Sequence, residues 1–576
     1  MFRATQMASE ETLPALGLLT INDDNETIGI TTSLTLKNGS NKKSGYGLVT
    51  VLHTHRRPKY PIAIIFVLTA KLFEAFAANG IRTILALYLR DDLFFSESFS
   101  TVLLHIFNFF GQFCPIFGAI LADSYIGNVR TINRLYFVYA LGWTLLVFTS
   151  LPYVGVSLVF LVSMALLLIA IGNGSTRACV TSLGAIQFQL PDQAKQLADY
   201  FSWYYFIYYI GIFLSKIIPP MIRANTRCYN KTECYPAVFG TLGTSFFMAW
   251  LTFTIGKLFY KEEKIAEENI LVKFYGCVKH ALSKKWNRAS NDKKPAHWLH
   301  YAIGRYDEAF VNDVTKIFKL VKLYIPLPIY FALLAQQDSS WTFQAAFMNT
   351  TIVEGITIQP DQAKAMGPIF LFMLIPLWQY VVQPLLRWLF KLELQPLQSL
   401  TVGGVFSALS FISAGILQRY IYTRPYRSVN VLWQIPQFIF IMLGELLLSI
   451  PGLQFAFTQA PVSMKSVVTA AWFLNNAFGN LIVVLITELN IFPSQYDEFF
   501  FYAILMIVSI IFYTYLAYVY VLDEQVAAAD SVANDSNHNS LELISSEKPN
   551  PRNGVRVSQE SDRNDDTPST SNITIV

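Results

Sequence analysis

The sequence predicts an all-α membrane protein with twelve transmembrane helices arranged as two six-helix halves. Composition, the spacing of apolar runs and one central polar stretch carry that prediction. The chain of 576 residues is 53% hydrophobic and only 14% charged, against about 25% charged in an average soluble protein. A bilayer core about 30 Å thick takes roughly 20 apolar residues per helix. About twelve segments qualify, at roughly 61–89, 101–122, 133–151, 155–175, 200–221, 237–258, 316–337, 366–387, 399–418, 431–451, 465–488 and 498–522. Helices that satisfy their own backbone groups are the spanning solution such runs permit. A polar stretch at roughly 259–315 divides the spans six and six.

In chain order, residues 1–58 are polar, rich in Thr and Asn and without sustained periodicity, which predicts a disordered tail. No compact apolar signal-peptide core precedes the first span, so that span is expected to serve as the targeting signal. Residues 59–258 form the first half, 259–315 a linker with amphipathic pieces such as HWLHYAIGRYDEAF, and 316–523 the second half. Residues 524–576 form a second disordered tail.

The linker holds Lys261, Lys264, Lys273, Lys279, Lys284, Lys285, Arg288, Lys293, Lys294 and Arg305, which places it in the cytoplasm by the positive-inside tendency. Both termini then lie on the same side, and Lys37, Lys42, Lys43, Arg56, Arg57 and Lys59 agree. Arg419, Arg424 and Arg427, after the ninth span, oppose it. Cys228 and Cys234 fall in the loop after the fifth span, on the predicted exterior, where a disulfide persists. The glycosylation sequons at Asn230 and Asn349 fall on that exterior too. The plasma membrane is the expected location, with an endosomal or lysosomal membrane as the alternative. The chain ends Thr574-Ile575-Val576, a form that PDZ-type readers accept.

Charges at membrane depth cost several kcal/mol and mark cavities or partners. On a helix at 100° per residue, Lys71 and Arg82 share one face of the first span with Glu74 beside them, while Phe76 points away. The bland alternative is a Lys71–Glu74 pair with Arg82 reaching outward along the lipid. His105, Asn108 and Gln112 form a similar stripe on the second span. A proton-handling histidine competes there with a hydrogen-bonded core histidine. Glu445, near the middle of the tenth span, reads as a protonatable site or an anchor for a cationic group. Trp472, Asn475 and Asn476 give the eleventh span a polar side, equally suited to ordinary interhelical hydrogen bonding. There is no phosphate-cradling loop, metal-ligand spacing or nucleophile elbow, so no enzyme, cofactor, metal or nucleic-acid partner is expected.

Two six-helix halves joined by a cytoplasmic linker is the layout of major-facilitator carriers. Within it the chain resembles the proton-coupled oligopeptide transporters, especially their animal branch. GAILADSYIGNVRTI resembles that family's loop after the second span, with Asp123, Gly127 and Arg130 at the key places of a gating motif. YIPLPIYFALLAQQDSSWTFQA, HWLHYAIGRYDE, IQPDQ, QIPQ and GLQFAFTQAPVSMKSV carry the likeness across roughly residues 58–522.

The resemblance implies import of di- and tripeptides with protons. It implies that His105 stands at the proton-coupling histidine, Glu445 at the glutamate holding the peptide amino group, Arg82 at a cavity arginine and Trp472 at a pocket tryptophan. Departures are specific. The family's first-helix pattern Glu-x-x-Glu-Arg-Phe-x-Tyr-Tyr-Gly reads here Lys71-x-x-Glu74-Ala75-Phe76-x-Ala78-Asn79-Gly80. Arg177 replaces a lysine, Ile186 an aspartate, Tyr209 an asparagine and Ala335 an aspartate. The expected site is therefore His105 and Glu74 for protons, with Arg82, Arg177, Glu445, Trp472 and Lys71 for substrate, Lys71 filling the place of the arginine missing at 75. The expected partners are protons, short peptides or peptide-like solutes and the lipid bilayer. The alternatives are the same fold with altered cargo or no proton coupling, and a transporter-shaped receptor or scaffold.

Overall fold

A computed structural model describes residues 60–546, except 152–157, 190–191, 230–232, 262–269, 288–296, 355, 392–393 and 462–464, together with the strand pair Thr27–Ile28 and His55–Arg56. That strand pair falls within 1–58, where the sequence predicts disorder; the rest of 1–58, the sequon at Asn230 and the terminal Thr574-Ile575-Val576 lie outside the described residues.

Eleven helices among the described residues are long and apolar enough to cross a bilayer, and a bent pair supplies a twelfth span. The first six are Ala63–Asp92, Glu97–Leu121, Asn128–Thr149, Leu158–Ala185, Asp199–Asn225 and Tyr235–Gly256. The seventh is Glu308–Tyr324 joined to Leu327–Ala346 at a 50° bend. Pro360–Leu389, Pro396–Tyr422, Val431–Ala456, Ala470–Leu489 and Gln495–Leu522 complete the second half. The all-α reading with two groups of six spans holds, and the protein is a multi-pass membrane protein.

Local chemistry sets several boundaries. The Ser96 hydroxyl accepts from Phe99 N at 3.1 Å and caps the second span. Gly127, at φ 86°, separates the second span from the third in a backbone conformation that other residues resist. Gly118 lets the second span approach the Ser175 carbonyl of the fourth, a close crossing of the kind small residues permit in membranes. The first half is packed around buried aromatics: Tyr136 against Phe246 and Phe253, and Tyr139 against Trp143 and Phe246.

Two boundaries differ from the sequence expectation. The seventh span begins at Glu308, inside the stretch assigned to the linker. Its first helix is amphipathic, burying Val311, Val314, Ile317, Leu320 and Leu323 while Lys316, Lys319 and Lys322 stay exposed, and Pro326 follows at the bend. An apolar-run criterion misses such a helix. The last helix continues to Ser546, past the expected boundary at 523. Its extension EQVAAADSVA is rich in strong helix formers. In the linker, Ile270–Trp286 is a helix, with a short turn at Trp298–Ala302.

Candidate functional site

Spans alternate in direction, so one end of the bundle carries the loop after the fifth span and the other carries the linker. Cys228 and Cys234 are joined as a disulfide at the first of these ends. Asn349 lies at the same end, where its backbone bridges to Val429 and Val431 and its side-chain oxygen accepts from Thr351 N at 3.0 Å.

Three groups tie the two halves together toward the disulfide end. His105, fully buried on the second span, contacts Ser339 Oγ of the seventh at 2.9 Å through Nε2 and Asn480 Oδ1 of the eleventh at 2.8 Å through Nδ1. Arg223 of the fifth span donates to Asp361 Oδ1 of the eighth at 3.0 Å, and its other terminal nitrogen pairs with Glu233 at 2.6 Å. Lys364, one turn beyond Asp361, donates to the carbonyls of Arg82 (3.2 Å) and Thr83 (3.0 Å) on the first span and lies 3.6 Å from the Asp338 carboxylate. A charge pair buried at membrane depth persists only with good geometry and further hydrogen bonds, and here it is spent on a contact between halves.

Below this seam lies the polar face expected on the first span. Lys71 Nζ donates to Glu74 Oε2 at 3.0 Å, both side chains buried, beneath the rings of Tyr204 (5.5 Å) and Tyr208 (5.1 Å). The i,i+3 pair therefore forms, but Arg82 does not turn outward. Its Nε donates to Asn108 Oδ1 at 2.9 Å and its Nη1 to Asn79 Oδ1 at 3.3 Å, with Phe107 beneath at 5.8 Å. Arg177 Nη1 donates to Gln112 Oε1 at 2.9 Å. The first, second and fourth spans thus assemble one cationic surface. Glu445, on the tenth span, and Lys216 of the fifth lie within electrostatic reach of each other, with Tyr209 near Glu445 and Asp338 also within reach of Lys216.

The structure gives a packing reason for the lost arginine at 75. Ala75 is buried, and a Cβ placed on Gly211 of the fifth span would stand 2.7 Å from the Ala75 Cβ. Two small residues bring the first and fifth spans together where a long cation would otherwise project. Lys71 does not reach into that place; its partners are Glu74 and the two tyrosine rings.

The remaining expected residues are dispersed. Trp472 is buried against Tyr324 (5.7 Å) and Phe331 (5.8 Å) within the second half. Gly127 and exposed Arg130 stand at the linker-end turn between the second and third spans, and Asp123 lies in the preceding helical turn, its side chain outside the described residues. Sequence reasoning missed Ser339, Asn480, Arg223, Asp361, Lys364 and Lys216. Lys216 and Arg223 carry the same signal that exposed Lys71, a cation within or near the end of an apolar run. The polar partners Ser339 and Asn480 have no such signal.

Comparison with known proteins agrees with this architecture. The POT family profile PTR2 matches residues 129–496. The chain is 32% identical over 364 residues to solute carrier family 15 member 2 of Danio rerio, covering 63% of this chain and 50% of that protein. It is 33% identical over 359 residues to peptide transporter family 1 of Drosophila melanogaster, covering 62% and 48%. It therefore spans about half the length of the curated relatives it matches. Among solved structures, the POT family transporter PepTSo superposes with a TM-score of 0.72 at 22% identity, over 81% of this chain and 99% of that one, a likeness of major-facilitator fold. With the family profile matching most of the chain, from the third span into the start of the twelfth, this protein belongs to the POT family.

Proposed function

We propose that the protein is a secondary carrier that imports short peptides or peptide-like solutes with protons by alternating access. The observation that carries this reading is the buried His105 bridge between the halves. A neutral imidazole donates through one nitrogen and accepts through the other. Asn480 Oδ1 only accepts, so Nδ1–H donates to it and Nε2 accepts from the Ser339 hydroxyl. A proton added at Nε2 turns that acceptor into a donor and places a positive charge near Asp338 of the seventh span and Lys364 of the eighth. The Ser339 hydroxyl then turns to accept from Nε2–H and sends its own proton toward Gln336 Oε1, 3.4 Å away; the cost of the charge added in this buried contact favours opening at the disulfide end. Substrate sits below, its carboxylate on Arg82 and Arg177 through charge-assisted bonds, its polar remainder toward Glu445.

The name of the Drosophila melanogaster relative, peptide transporter family 1, supports the cargo class. The basic linker and the disulfide at the opposite end support a cytoplasmic linker, cytoplasmic termini and an outward disulfide end, as at a plasma membrane. A second reading, carriage without proton coupling, is favoured by the Lys71–Glu74 pair, which neutralises the remaining first-span carboxylate internally. Uptake of a labelled dipeptide at two external pH values separates the two. Acid-stimulated uptake supports coupling, pH-independent uptake supports the second reading, and no uptake at either pH with the protein at the surface refutes both.

A further inference from the structure

Among the described residues, the side-chain hydrogen bonds of the Arg82 and Arg177 guanidiniums go to uncharged acceptors. Asn108 and Gln112, one helical turn apart on the same face of the second span, accept from Arg82 and Arg177 at 2.9 Å each. Of the carboxylates nearby, Glu74 is paired with Lys71 at 3.0 Å and Asp338 lies 3.6 Å from Lys364. Arg82 and Arg177 lie within electrostatic reach of each other. Arg82 Nη2 is buried without a hydrogen-bond partner, 3.4 Å from where a Cβ at Gly111 would stand, so the glycine opens room beside it. Both arginine side chains are only partly buried, like charges held near each other repel, and a buried unpaired donor costs free energy. An anion that satisfies both removes both costs.

We propose that Arg82 and Arg177, positioned by Asn108 and Gln112, form a subsite for a doubly anionic group, so that the preferred solutes are acidic peptides carrying a side-chain carboxylate besides the terminal one. This deepens the carrier reading above and rests on it for transport, though not for binding.

The test uses the full-length protein purified in lipid nanodiscs, with glutamyl-glutamate and alanyl-alanine as probes in binding titrations, and the same peptides in uptake. The expected result is binding of glutamyl-glutamate about tenfold or more tighter than alanyl-alanine, as two charge-assisted guanidinium contacts allow. Gln112→Glu, nearly isosteric, sets a carboxylate against Arg177 and is expected to bring the acidic-to-neutral affinity ratio close to one. Arg177→Gln is expected to lower the ratio as well. Equal or weaker binding of glutamyl-glutamate by the native protein, or an unchanged ratio in Gln112→Glu, overturns the subsite; so does failure to bind either peptide. Binding with the expected ratio but without uptake leaves the subsite standing and refutes the carrier reading. Uptake of alanyl-alanine without acidic preference does the reverse.

Discussion

Replacing Asp361 by Asn is expected to loosen the seam at the disulfide end. Asp361 is fully buried and holds Arg223 across the halves at 3.0 Å. Removing one partner of a buried pair costs about 3–5 kcal/mol. The lower figure applies, because Asn keeps one acceptor and Arg223 keeps the half-exposed Glu233. A loss of about 3 kcal/mol, borne only by the arrangement closed at this end, shifts the closed-to-open ratio by roughly a hundredfold. Spin labels at Ser98 and Tyr426 report it. Both are exposed at the disulfide end, Ser98 in the first turn of the second span and Tyr426 in the loop after the ninth, while Cys114, Cys179 and Cys277 are buried and resist labelling. Double electron–electron resonance in nanodiscs should show a second, longer distance in Asp361→Asn that the native protein lacks. A distribution identical to the native one, in a variant with intact helix content, would refute the seam's role in closure.

Three further outcomes follow from the same contacts. His105→Ala should abolish acid stimulation of uptake, and an unchanged pH profile would remove His105 from coupling. Gly118→Ala should lower stability by about 3 kcal/mol, since the added Cβ overlaps the Ser175 carbonyl and backbone yields less than a side chain; an unaltered melting temperature would contradict that packing. In the linker, burial and the neighbouring His300, Lys322 and Lys319 hold His297 below the usual histidine value, and its ring accepts from Leu299 N. A group with a depressed folded value contributes stability that is full above its unfolded value near 6.5 and is lost as pH falls. Trp298 fluorescence should therefore report local loosening below about pH 6.5, and His297→Asn should flatten that response.

The fold was legible because spanning helices need long apolar runs, and those runs are visible without knowing what they touch. The amphipathic start of the seventh span escaped because its lysines interrupt the run, although its apolar stripe is regular. The first-span face was legible too, since periodicity alone places Lys71, Glu74 and Arg82 together. Their partners were not. Whether Lys71 turns to Glu74 or toward the place of an absent arginine depends on how closely the fifth span approaches, which Gly211 and Ala75 decide jointly. The stripe His105, Asn108 and Gln112 was visible as a stripe, yet its division of labour was hidden. His105 meets the second half while Asn108 and Gln112 hold guanidiniums of the first, because neighbouring faces of one helix meet different neighbours.

The central claim, that a proton gradient moves a short peptide through this protein, is tested most directly in proteoliposomes holding the purified full-length protein and a labelled dipeptide outside. With an inward proton gradient, the account predicts accumulation inside above the external concentration, collapsing when a protonophore is added. Accumulation that never exceeds the external concentration, with or without the gradient, would contradict it.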